Sequence, residues 1–190
     1  MSWRPDALPA LVEVDGLVFV PLTPALVEPD YAAVMRDIPM LRAWSGQDWP
    51  TETFPIADNL ADLERHHCEQ LAGDALTYSV LIDGVVQGCV YVWPLAEAFQ
   101  GRSVVRPLDA ALPPDDVVVR GWLHERPADD LISATMAWLT TAPFTFPRLW
   151  WQTNSQCPDQ LASCDRLGLT DSLSFDGGDR TWVLRATPRA

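Results

Sequence analysis

Lysine is missing from this chain. All 13 basic residues are arginine, set against 26 acidic ones, so the net charge is -13. A surface this acidic repels nucleic acid and anionic lipid, which argues against both as partners. Solubility accounts for the charge, and a cationic amine would be tolerated by it. No apolar run approaches the length of a membrane span. The opening stretch "MSWRPDALPALVEVDG" puts no long apolar segment behind a basic start, so it does not read as a secretory leader. Cysteine is scarce too: Cys68, Cys89, Cys157 and Cys164 form no Cys-x-x-Cys pair. Two disulfides are formally available, but without a secretory signal free thiols in a reducing cytoplasm are the expectation. Also lacking are a Ser-His-Asp motif, a glycine-rich phosphate loop and any zinc-ligand spacing. His66, His67 and Cys68 are adjacent, and on a helix adjacent residues diverge around the axis, so no metal is expected there.

What is present is an ordinary globular composition, 48% hydrophobic and 21% charged over 190 residues. That suits one domain, 1–190, with a core large enough to need neither disulfide nor metal. "GLVFVPL" at 16–22 alternates as a strand. A helix over "EPDYAAVMRD" should stop near Ile38, because the residue before Pro39 avoids the α region, leaving "MLRAW" as a short turn. Leu60, Leu63, His67 and Leu71 recur at helical spacing, and Gly73 is a fitting stop. Two apolar runs flank Asp83-Gly84, the signature of a tight hairpin. Residues 96–114 lose periodicity and read as a loop or small insertion. Beyond them come a strand at 115–124, a helix at 128–142, the strand "RLWWQTN", a helix beginning at Pro158, and a closing hairpin turned by Asp176, Gly177 and Gly178. This alternation predicts an α/β (α+β) fold: a mixed, mostly antiparallel sheet of about seven strands with helices on both faces.

That order of elements is similar to the GNAT superfamily of N-acetyltransferases. The collinear strings "FVPLTP…DYAAVM…LRAW…DWP…DNLADLERH", "TYSVLIDGVVQGCVYVWPL" and "NSQCPDQLASCDRLGL" carry the resemblance over nearly the whole chain. It implies an acyl-CoA-dependent enzyme that transfers acetyl from acetyl-CoA to an amine of a small molecule or protein. The acetyl-CoA would enter where the fourth and fifth of those strands splay apart. Its pantetheine arm would lie along the edge of "RGWLH", with Trp122, Leu123 and His124 beside it, and its pyrophosphate would sit on free amides at the next helix start, Ala128, Asp129 and Asp130. The chain departs from the family there: "HERPADD" has no glycine, Pro127 removes a donor, and Arg126 is left as the compensating phosphate contact. Asn154 matches a position that often contacts the cofactor, and Cys164 stands where many members have a proton-donating tyrosine.

Transfer to an amine needs a neutral nucleophile and a base. His124, with Glu125 beside it at the same strand end, is the expected base, because an ordinary imidazole titrates near neutrality. Trp44, Trp49, Tyr91 and Trp93 are the expected acceptor-site residues. Two other readings accompany the enzyme. One is a non-catalytic module that binds a ligand or partner in the same cleft. The other is a homodimer paired through sheet edges, in which Trp122 or Trp151 fills the cleft.

Overall fold

The computed structural model describes residues 3–100, 105–107, 115–144 and 146–188. In chain order the elements are β1 (Val12–Val14), β2 (Leu17–Pro21), α1 (Val27–Val34), α2 (Ile38–Ser45), α3 (Ile56–Ala72), β3 (Leu76–Ile82), β4 (Val85–Pro94), α4 (Leu95–Ala98), β5 (Val117–Leu123), α5 (Ala128–Leu139), β6 (Leu149–Asn154), α6 (Pro158–Arg166), β7 (Asp171–Asp176) and β8 (Thr181–Ala186). The eight strands form one sheet in the order β1-β2-β3-β4-β5-β6-β8-β7. Only β5 and β6 run parallel; the other neighbours are antiparallel.

The expected fold class holds, with eight strands rather than about seven. The added strand is β1, joined to β2 through Asp15 and Gly16, which both take positive φ. This repeats the Asp83-Gly84 turn between β3 and β4, where both residues also have positive φ and the backbone twist suits a two-residue hairpin. Residues 38–45 form α2 instead of a turn. Pro39 occupies the first turn of this new helix, where its missing N–H costs nothing, and the Asp37 carboxylate accepts from Met40 N at 3.0 Å. Of the 96–114 segment, residues 96–98 belong to α4 and Arg106 bridges to Ser174; residues 101–104 and 108–114 lie outside the described residues.

Strand alternation sorts the core onto two faces. On one, Phe19, Tyr78, Val90, Val92 and Val119 pack under Leu131, Ile132 and Trp138 of α5. Trp138 lies 4.9 Å from the Phe19 ring and 4.7 Å from the Tyr78 ring. The other face carries two separate clusters. Val34, Leu41, Leu63, Cys89 and Trp122 pack beneath α1, α2 and α3, while Phe99, Val118, Trp150, Phe175 and Trp182 pack toward the C-terminal hairpin. Between these two clusters, the surface of β4 and β5 is left to Tyr91, Trp93 and Arg120. β4 and β5 also meet unusually closely: a Cβ on Gly88 would lie 2.2 Å from the Trp122 carbonyl oxygen, so only glycine fits there.

Candidate functional site

β5 and β6 pair only at Val117–Leu149, Val118–Trp150 and Val119–Trp151. Beyond that point β5 follows β4, as far as Leu123 opposite Gly88, and β6 follows β8, as far as Asn154 opposite Trp182. Two strands tied to different neighbours must part. The gap is a cleft of about 470 Å³ lined by Trp122 and Leu123, by Arg126 and Ala128 at the start of α5, and by Cys157 and Gln160 at the start of α6. Two helix N-termini therefore face one space, each presenting backbone amides and the positive end of a dipole. Trp151 crosses Gly121 on the α5 side, within 3.2 Å of where a Cβ would stand. The carbonyl of Gly121 accepts from Gln160 Nε2 at 3.0 Å.

The two acids at the start of α5 are each held by an arginine. Arg166 Nε donates to Asp129 at 2.9 Å, and Ser163 Oγ donates to the same carboxylate. These hydrogen bonds hold the Asp129 carboxyl well below the usual carboxylate range. Arg126 Nε donates to Asp130 at 2.7 Å, and its Nη1 donates to Asp15 O at 3.0 Å. Arg126 remains in the cleft wall while its charge is shared with Asp130. Asp129 and Asp130 themselves line neither this cleft nor the cavity described next.

That cavity, of about 730 Å³, lies on the face of the sheet away from α5, in the gap between the two core clusters. Tyr91 and Trp93 of β4 form its floor beside Arg120 of β5. Trp44 and Trp49 close one side, α3 closes another with Asp62, His66 and Glu69, and Trp3 lies at the far end. Trp44 lines the cleft as well, so the two spaces adjoin at this indole, next to the point where β5 and β6 part.

The expected site residues divide cleanly by position. Trp122, Leu123, Arg126 and Ala128 come together in the cleft, and Trp44, Trp49, Tyr91 and Trp93 in the larger cavity. His124, Glu125, Asn154 and Cys164 line neither. His124 is buried, stacks edge-on to Trp122 and hydrogen-bonds the Ala33 carbonyl oxygen at 3.0 Å. Glu125 points outward at 62% side-chain exposure, toward Arg36. Asn154 spends its amide hydrogens on the Ala43 and Trp44 carbonyls and accepts from Gln156 N, which ties the end of β6 to α2. Cys164 is fully buried in the α5-side core, and burial pushes its thiol up to about 12.

Three residues in these walls carry no signal that periodicity could have read as functional. His66 stacks on Tyr91 at 5.1 Å, and its Nδ1 lies 3.0 Å from Glu69 Oε2. Burial, with Arg65 alongside, pushes its pKa below the ordinary histidine value. His67 and Cys68 diverge from it around α3, as the helical geometry requires. Cys157 sits at the start of α6 with Arg120 and Arg180 acting on its thiol, though burial raises its pKa on balance. Arg120 is sandwiched between indoles, 4.0 Å from the Trp44 ring and 4.5 Å from Trp182. All four cysteines are free thiols.

No protein-family model matches this sequence, and no curated protein matches it. Solved structures do match, along nearly the whole chain. MccE, a microcin self-immunity acetyltransferase in complex with acetyl-CoA and AMP, is 12% identical with a TM-score of 0.70, over 95% of this chain and 97% of its own. The acetyltransferase AAC(6')-Ib, in complex with an aminoglycoside and acetyl-CoA, is 13% identical with a TM-score of 0.67, over 92% and 94%. RimJ of Mycobacterium smegmatis, in complex with a CoA disulfide, is 14% identical with a TM-score of 0.65, over 90% and 80%. This chain has the GNAT fold. Within that GNAT fold, the parting of β5 and β6 is the splay that the resemblance implied, and the cleft opens from it. No helix among the described residues is long and apolar enough to cross a membrane.

Proposed function

We propose that this chain is an acetyl-CoA-dependent N-acetyltransferase acting on an amine. The observation that carries the reading is the meeting, at Trp44, of a cleft faced by two helix N-termini with an aromatic cavity on the face of the sheet away from α5. Acetyl-CoA occupies the cleft, its pyrophosphate at the amides that begin α5 near Ala128 and its pantetheine along Trp122 and Leu123. Arg166 and Arg126 neutralise the two acids that would otherwise repel it, which offsets the missing glycines. The amine enters from the larger cavity, where the carboxylates of Asp62, Glu69, Asp74 and Glu97 favour a cation.

The amine nitrogen attacks the thioester carbonyl, the C–S bond breaks, and the nitrogen loses a proton. His66 takes that proton, directly or through water. Glu69 Oε2 holds Nδ1–H, which leaves Nε2 as the accepting nitrogen; Arg65 Nη2 donates to it at 3.0 Å and gives way when the amine proton arrives. The departing thiolate is protonated at the cleft side, where Cys157 is the lining thiol. His124, hydrogen-bonded to a backbone carbonyl outside both spaces, positions α1 against β5.

One contact favours the second reading, a non-catalytic binding module: Gln160 already holds the Gly121 carbonyl that a pantetheine amide would pair with. A calorimetric titration decides between the two. On the enzyme reading, acetyl-CoA and CoA bind with dissociation constants of about 1–100 µM, and Ala128→Glu weakens both by at least about 30-fold. Absence of saturable binding at millimolar acetyl-CoA would reject the enzyme reading.

A further inference from the structure

Arg120 is out of place by the ordinary rules for arginine. It emerges at the first position of β5 beyond the pairing with β6, and it has no acidic partner among the described residues, whereas arginines such as Arg42, Arg65, Arg126, Arg148 and Arg166 each hold a carboxylate. Its Nη2 donates to the Trp44 carbonyl, and its Nε is buried with no hydrogen-bond partner. Burial lowers the Arg120 pKa to about 10, so the group remains a cation. A buried cation that lines a cavity and holds no carboxylate among the described residues calls for an anion. Beside the carboxylates that suit the amine, Trp3, Trp49, Tyr91 and Trp93 offer apolar, aromatic surface.

We infer that the acceptor is an α-amino acid with a large apolar side chain, its carboxylate on Arg120 and its side chain among the aromatic residues of the cavity. The inference rests on the acetyltransferase reading and names the substrate of that site. An amine one carbon away from its carboxylate suits this position. Arg120 marks the place where the strands part and the cleft adjoins the cavity, so an anion bound there leaves the neighbouring amine beside the thioester. A distant anionic group would hold the amine away from it. The transfer forms an N–C bond to the acetyl carbon and breaks the C–S bond. The nitrogen gives up one proton, the CoA thiolate takes one, and the products are the N-acetylamino acid and CoA.

The test compares L-phenylalanine with its methyl ester and with phenethylamine, which share the ring and the amine but lack the carboxylate. Release of CoA thiol reads turnover, and calorimetry on the CoA-bound protein reads binding. Phenylalanine is expected to exceed both analogues by at least about tenfold in kcat/KM, because a site built to pair a polar group rejects the analogue lacking it. Arg120→Gln should collapse that ratio toward one. Comparison of the ligands on the unaltered protein keeps the test valid even where the variant fails to fold. Equal use of phenethylamine and phenylalanine would overturn the inference while leaving the acetyltransferase reading intact. Binding of acetyl-CoA with no heat and no turnover from phenylalanine would also overturn it. Failure of acetyl-CoA to bind would remove the reading on which it rests.

Discussion

The cleft and the cavity that meet at Trp44 are made in different ways. The cleft is a product of backbone: β5 and β6 follow different neighbours, and the starts of α5 and α6 aim amides into the gap they leave. Side chains there mostly keep charge out of the way, as Arg166 does for Asp129 and Arg126 for Asp130. The cavity is a product of side chains. Its floor and walls come from α2, α3, β4, β5 and the N-terminal segment, each contributing bulky or charged groups. A space formed by topology can persist through extensive sequence change, which agrees with fold neighbours only 12–14% identical. A space formed by side chains is where specificity is written.

Substitutions on either side can break this division. The largest effect is expected on the cavity side at the proton acceptor. His66→Gln should lower kcat by at least about 100-fold while leaving acetyl-CoA affinity within about twofold, and steady-state kinetics with calorimetry separate the two. The acid limb of the pH–rate profile should vanish with it. Since the folded pKa of His66 lies below the ordinary value, that limb should fall below pH 6.5. An unchanged profile would remove His66 from the chemistry.

The next effect concerns what holds the cavity wall. Asp30 is buried and accepts from Asn59 Nδ2 at 2.9 Å, linking α1 to α3. Burial raises its carboxyl from 3.8 to about 6, with Asp62 adding to the effect and the Asn59 bond opposing it. A folded pKa above the unfolded one means the folded state binds more protons between those values, so stability is highest below pH 4 as far as this group is concerned. It should fall by about 3 kcal/mol as the pH rises through 6. Asp30→Asn should flatten that decline in urea midpoints measured from pH 4 to 7. A decline that persists would assign it to another group.

A smaller loss is expected from removing one wall ring. Trp49→Ala should raise the acceptor KM by about tenfold with acetyl-CoA binding unchanged. The smallest effect belongs to the residue that sequence reasoning favoured. His124→Gln, which can keep a hydrogen bond to the Ala33 carbonyl, should change kcat by less than about threefold. A loss comparable to that of His66→Gln would return the base to the end of β5.

Much of the fold was legible before any coordinates. The Asp83-Gly84 hairpin, the periodicity of α3 and the order of strands and helices each follow from local pattern. The misreadings were local as well. In sequence Pro39 reads as a stop, yet it starts α2, because proline suits a first helical turn as well as it ends a preceding one. β1 was missed because three residues are too short a run for alternation to register. The site was legible only in part. Trp44, Trp49, Tyr91 and Trp93 do converge, as do Trp122, Leu123, Arg126 and Ala128. His66, Cys157 and Arg120 were not distinguishable from a helix face, a helix start and a strand arginine.

The sequence by itself determined the composition of the two sheet faces, the hairpin turns, the acidic surface and most of the segments that become strands and helices, because these depend on alternation, helical period and the backbone preferences of glycine, proline and aspartate. Only the tertiary structure decided that β5 and β6 part after Val119, that Asp129 and Asp130 are neutralised, and that Arg120 stands without an acid beside an aromatic cavity. Those outcomes depend on which distant residues arrive at the same place, and burial sets the energy of a charge only once its neighbours are known.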